Sequence, residues 1–142
     1  MSWPTPEELE TLAADFQARA LPKAQWTHEA HLAVGAWHVH RYGTADAIDR
    51  LRAGIRRLNE SHGTANTDTG GYHESVTVAY VAVIAAFLDR TRPVSIAEGV
   101  QALLSSPLAR KDALLTFYSR EVLFSVRARR EWVPPDRETF SG

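Results

Sequence analysis

The chain has 142 residues, 44% of them hydrophobic, 23% charged and 9% aromatic, which fits one globular domain with a single core and excludes a disordered chain or a mini-protein. Sixteen Lys and Arg against seventeen Asp and Glu leave a formal net charge of -1, so no long-range field draws the molecule to nucleic acid or to an anionic membrane. With no cysteine there is no disulfide, no thiolate nucleophile and no Cys-type zinc site, a composition that suits the cytoplasm of a bacterium.

The opening MSWPTPEELE is acidic and has no apolar h-region, which predicts no secretory leader. Thr5-Pro6-Glu7-Glu8 places a hydroxyl cap, a proline at the first helical position and acids in the first turn, so a helix starts there and ends before Leu21-Pro22. A second helix is expected from about Thr27 to Tyr42, closed by Gly43, with Thr44 capping a third from Ala45 to Asn59. Glu60 to Gly71, ESHGTANTDTGG, offers no apolar side chain larger than Ala65 and is expected to be a surface loop. A fourth helix covers roughly Tyr72 to Leu88. Its apolar run from Val76 is interrupted by Thr77 and Tyr80 and is shorter than the roughly 20 residues of a membrane span. A fifth helix runs from Ser95 to about Ser105, and a sixth opens at Ser106-Pro107 and continues to about Glu131, with a break near Tyr118. The prolines of Trp132 to Asp136 forbid helix there. No period-2 strand, repeat or linker interrupts the series, so the expected fold is all-α, a single-domain bundle of about six helices over residues 1-142.

The functional signal lies at helix starts. At 100° per residue, His28, His31, Leu32, Gly35, His38, Val39 and Tyr42 fall within about 120° on the second helix and define its inward stripe. His38 lies about 15 Å further along the axis than His28, and His40 points elsewhere. On the fourth helix the inward stripe is His73, Val76, Thr77, Tyr80, Ile84 and Phe87. If short connections make successive helices antiparallel, the second and fourth helices start at one end of the bundle. His28, His31 and His73 then converge there, beside Asn59 at the end of the third helix and under the loop Ser61 to Gly71.

The partial positive charge of a helix N-terminus disfavours imidazolium, and neutral imidazole is the form that binds metal. Three such nitrogens with an open position suit zinc, nickel or iron, which makes His28, His31 and His73 candidate metal ligands and Glu74 a candidate general base. The same converging N-termini also suit an anion without metal. Arg52 and Arg120 border apolar stripes, where a guanidinium needs a partner, and with Asn59, Tyr72 and Thr77 they form the candidate ligand-binding set. Tyr72, Tyr80 and Tyr118 also read as packing residues with satisfied hydroxyls, and Trp26 as a hydrophobic staple before the Thr27 cap. HESVT from His73 carries Thr77 where a zincin has its second histidine.

WTHEAHL (Trp26 to Leu32), GYHESVT (Gly71 to Thr77) and FYSREVLFSVRARREWVPPD (Phe117 to Asp136) together resemble an uncharacterised family of small bacterial proteins with W-T-H-x-x-H-L, G-Y-H-E-[ST]-x-T and F-Y-S-R-x-x-L-F-S blocks in this order. The resemblance implies one complete domain and singles out His28, His31, His73 and Glu74, without implying a reaction. More loosely, the chain is similar to DinB-related helical bundles, which hold a divalent metal through three histidines; their pair is spaced i,i+4, whereas His28 and His31 are i,i+3.

Three readings follow. One is a metal-binding helical protein, an enzyme of unspecified reaction acting on a small-molecule substrate, with the ion among His28, His31 and His73. Another is a metal-free module binding a small anionic or polar ligand through the same helix N-termini, His73, Asn59 and Arg120. The third is a structural protein in which the histidines are buried hydrogen-bonding residues and exposed apolar surface makes a homo-oligomer interface.

Overall fold

The computed structural model describes residues 2–140, and among these there are helices, turns and no strand. The expected all-α bundle is the observed fold. The first helix, α1 (Pro6–Gln17), starts with a capping box: the Thr5 hydroxyl accepts from the Glu8 amide at 3.2 Å, and the Glu8 carboxylate accepts from the Thr5 amide at 2.9 Å. Its inward residues Leu9, Leu12, Ala13 and Phe16 are buried. Next, α2 (His28–Tyr42) is capped by Thr27, whose hydroxyl accepts from the Ala30 amide at 3.1 Å.

Gly43, at a φ of 81° that disfavours any side chain, closes α2 and stands directly before α3 (Thr44–Ser61). Thr44 is therefore the first residue of α3 and not the expected cap, because the tight turn leaves only Gly43 between the two helices. After the loop come α4 (Glu74–Thr91) and α5 (Ile96–Leu104), the latter capped by Ser95 on the Glu98 amide at 3.2 Å.

Beyond α5 the expectation of one long helix with a single break is overturned. The segment is divided into 3-10 turns at Pro107–Ala109 and Ala113–Thr116 and two short helices, α6 (Arg120–Leu123) and α7 (Val126–Arg130). Ser106, Ser119 and Ser125 each cap a new start with their hydroxyls, the competition with helical hydrogen bonding that makes serine a poor interior residue.

The bundle is organised around α2, which packs on α1, α3, α4 and α5. That central place explains why Ala30, Ala33, Val34, Gly35 and Ala36 are buried on several sides of one helix. Leu9, Phe16, Leu32, Leu58, Ile84 and Leu103 belong to the main core. A smaller cluster of Ala79, Leu114, Tyr118 and Leu123 fastens the C-terminal segment to α4. Ser75, at the start of α4, donates its hydroxyl to the Glu131 carbonyl at 2.8 Å and accepts from the Val133 amide at 2.9 Å, while the Tyr118 hydroxyl donates to the Val133 carbonyl at 2.6 Å. No helix among the described residues is long and apolar enough to cross a membrane.

Candidate functional site

The starts of α2 and α4 do meet. A cavity of about 280 Å³ lies between α2, α3 and α4. It is lined by Trp26, just ahead of α2, by His28, His31 and Leu32 from the beginning of α2, and by Val76, Thr77 and Tyr80 from the beginning of α4. Leu51 and Ile55 of α3 and Gly35, Val81 and Ile84 deeper in the bundle complete it. The antiparallel order inferred from short connections is thus realised, and His28, His31 and Thr77 reach the cavity it predicts.

Gly35 helps to make the space. A β-carbon on it would lie 3.3 Å from Cδ1 of Ile84, so the pocket floor depends on a missing side chain in the middle of a helix.

His31 is positioned by two contacts. Its Nδ1–H donates to the Thr27 carbonyl at 2.7 Å, and its ring stacks on Trp26 at 3.7 Å between centroids. The proton is therefore on Nδ1, and Nε2 keeps a lone pair with no partner among the described residues. The ring is open to water at the rim, yet protein surrounds it closely enough that desolvation holds its pKa below the ordinary histidine value. The Thr27 carbonyl opposes that shift and the charge of His28 adds to it. Desolvation is the largest cause of that shift and favours the neutral imidazole.

His28 donates Nε2–H to the Ala109 carbonyl at 3.0 Å, joining α2 to the turn that follows α5 and leaving Nδ1 unpaired among the described residues. Tyr80, whose ring lies 6.1 Å from that of His28, makes no hydrogen bond through its hydroxyl among the described residues. Burial, assisted by the charge of Asp112, pushes that hydroxyl up to about 12, so it is a neutral donor.

His73 does not join them. It is the N-cap of α4 and not a residue of its first turn: the ring Nδ1 accepts from the Val76 amide at 3.1 Å, and Nε2–H donates to the Leu123 carbonyl at 2.7 Å. Both nitrogens are spent on the fold, and desolvation keeps the ring neutral. The three-histidine metal set is therefore not assembled, and no group of three or more His, Cys, Asp or Glu side chains among the described residues is arranged to hold an ion. A tricoordinate zinc, nickel or iron centre does not fit these residues as they are placed.

The other expected site residues form a separate network beside the cavity. Glu74 receives Arg52 in a two-pronged pair, Nε to Oε1 at 2.9 Å and Nη2 to Oε2 at 2.6 Å, and the Tyr72 hydroxyl donates to Oε1 at 2.6 Å. The Arg52 guanidinium, together with Tyr72, holds the Glu74 carboxyl below the usual glutamate range, despite partial burial. A carboxylate held so is a weak base, and the expected general-base role of Glu74 does not match its geometry. Arg52 also donates to Asp49 at 3.0 Å, which leaves it little capacity for an anionic ligand.

Asn59 donates to Asn66 at 3.1 Å and belongs to the loop, not to the cavity. Asn66 in turn accepts from the Tyr72 amide and donates to the Arg56 carbonyl, so a single side chain folds the loop down on α3. Arg129 and Arg130 hold the same loop from α7, through the Gly71 carbonyl at 3.0 Å and through Asp68. The loop does not line the cavity, against expectation. Arg120 is exposed on α6 and away from the lining.

Trp26 and Tyr80 are the site residues that the pattern of packing residues concealed. The available signal is a glycine on the inward stripe of α2, which faces Ile84 of α4 and leaves volume unfilled. The chain matches no family model, no curated protein and no solved structure, so the site itself is the ground for a functional reading.

Proposed function

We propose that this protein is a binding domain for a small, largely apolar molecule held between α2, α3 and α4. The composition and size of the cavity carry the reading. Its wall is made of Leu32, Leu51, Ile55, Val76, Val81 and Ile84 with the faces of Trp26 and Tyr80, and no Asp, Glu, Lys or Arg lines it. At about 280 Å³ it is nearly twice the size of an apolar cavity of about 150 Å³ that takes up benzene. A charged ligand would surrender its hydration with no countercharge to meet it, which argues against the anionic ligand that the helix N-termini alone suggest.

Titration with toluene, followed by thermal melting and by chemical shifts of the Trp26 indole, tests the reading. Toluene at ten times its dissociation constant is expected to stabilise the fold by about 1.4 kcal/mol. Filling the cavity with Ile55→Trp, or with Val76→Phe should the first variant fold poorly, is expected to remove most of that response. An unchanged melting temperature for the wild-type protein in toluene-saturated buffer would overturn the proposal.

A further inference from the structure

We infer that the ligand is an uncharged ring-sized molecule bearing a hydroxyl group, and that the hydroxyl donates its proton to Nε2 of His31. This rests on the binding-domain reading and specifies the chemistry of the molecule bound.

The cavity is apolar over most of its wall but carries hydrogen-bonding groups of an unequal kind. Nε2 of His31 and Nδ1 of His28 are lone pairs without partners among the described residues, whereas the Tyr80 hydroxyl is a donor without one. Once a ligand displaces water from the cavity, acceptors of this sort are matched only if that ligand brings a proton. A ketone or aldehyde could accept from Tyr80 but would leave both imidazoles unmatched. A carboxylate would set its charge against two lone pairs, and the guanidinium of Arg52 that could have compensated is taken up by Glu74 and Asp49. An ammonium would meet no carboxylate in the lining. A hydroxyl can donate to an imidazole and accept from a phenol, and it carries no charge to desolvate.

His31 is the better acceptor of the two because its ring cannot easily turn. The 2.7 Å bond from Nδ1 to the Thr27 carbonyl sets the tautomer, and the 3.7 Å stack on Trp26 sets the plane, so Nε2 is fixed before a ligand arrives. Trp26 lines the same cavity, which puts an aromatic face beside the acceptor. This combination favours a flat ring for the body of the ligand.

Phenol and toluene, alike in size and shape, separate the possibilities when their affinities are measured by calorimetry on the full chain. In a cavity with no usable acceptor, phenol binds far more weakly than toluene, since its hydroxyl is buried unsatisfied. Here phenol is expected to bind at least as tightly as toluene and at least tenfold more tightly than benzoate. His31→Phe, which keeps a ring on Trp26 and removes both nitrogens, is expected to weaken phenol at least tenfold while toluene changes less than threefold. Tyr80→Phe is expected to weaken phenol by a smaller factor.

Should toluene bind the wild-type protein tenfold more tightly than phenol, the hydroxyl assignment fails and the apolar pocket stands. Benzoate binding better than phenol would overturn the assignment too, as would an equal loss of phenol and toluene in His31→Phe. If neither phenol nor toluene binds, the pocket reading fails with it. Should His31→Phe not fold, the wild-type ranking of the three probes decides the matter alone.

Discussion

The chain carries two similar helix starts, Thr27-His28-Glu29 and Tyr72-His73-Glu74, and they do opposite work. Ahead of α2, Thr27 takes the cap, so His28 and His31 stand in the first turn with a nitrogen each to spare and face a cavity. Ahead of α4 position 72 is a tyrosine, which cannot cap, and the imidazole of His73 takes the amide of Val76 itself. The same two residue types are thereby displaced by one position in the helix frame. Glu29 is exposed, whereas Glu74 becomes the anchor for Arg52 and Tyr72. One start is left chemically open; the other is closed by its own fold.

The contrast implies that the α4 start governs stability and the α2 start governs binding. The largest effect is expected from Glu74→Ala, which leaves the Arg52 guanidinium and the buried Tyr72 hydroxyl without their shared acceptor. The Arg52 side chain keeps 38% exposure, so water recovers part of the loss, and a destabilisation of about 2–3 kcal/mol in urea unfolding is expected. A change below about 0.5 kcal/mol would mean that the pair is a solvated surface contact and would erase the contrast.

Next in size is His73→Ala, which removes the cap and the bond to the Leu123 carbonyl together; about 1–2 kcal/mol is expected. His73→Asn supplies a good cap but cannot reach Leu123 as the imidazole does, so it should recover about half of that loss. An asparagine variant no better than alanine would show that the tie to the C-terminal segment, not the cap, is what His73 provides.

How far these two starts can be read from sequence depends on whether the deciding contact is local. Thr5, Thr27 and Ser95 cap within three residues of themselves, and the helices they open begin where the pattern puts them. The tight turn at Gly43 sets α2 and α3 antiparallel, the loop of residues 62–73 brings α4 back to the end where α2 starts, and His28, His31 and Thr77 reach the cavity along stripes that periodicity marks.

The place of His73 is not legible locally, because its imidazole caps α4 while its other nitrogen is held by Leu123, 50 residues on. The role of Glu74 is hidden for a like reason: its partner Arg52 is 22 residues away, and no periodicity announces a bidentate pair between two helices. The segment after Ser105 breaks into turns because its serines cap and its Tyr118 hydroxyl finds the Val133 carbonyl in the tail. Cavities are the least legible feature, since they consist of what Gly35 and its neighbours do not fill.

Acid tests both starts at once, with a smaller effect than either substitution. His31, His38 and His73 all have pKa values lowered, with desolvation the largest cause, so the unfolded chain binds protons more readily than the folded one. Their contribution is fully present above the ordinary histidine value of 6.5 and is lost as pH falls below it. Glu74, held low mainly by Arg52, contributes stability that is present above its ordinary 4.5 and disappears as pH falls further. Melting temperature should therefore decline in two stages on acidification, and Glu74→Gln should reduce the second stage, to which Asp68 and Asp136, also held low by their partners, contribute as well, while leaving the first unchanged. A single stage near pH 4 would mean that the imidazoles titrate as freely in the folded protein as in the unfolded chain.

The smallest effect is expected where binding is proposed. His31→Phe removes a nitrogen with no protein partner and a bond to the Thr27 carbonyl, and that carbonyl still accepts from the residue-31 amide at 3.0 Å, so no buried group is orphaned. The new ring keeps the stack on Trp26 and adds apolar surface beside Leu32. A change within about 0.5 kcal/mol in either direction is expected from urea unfolding. Were His31→Phe to cost as much as His73→Ala, its imidazole would be a structural element like that of His73. The open start of α2 would then be closed in the same sense as that of α4. Stability unaltered beside a lost preference for phenol would instead mark a residue retained for what enters the cavity.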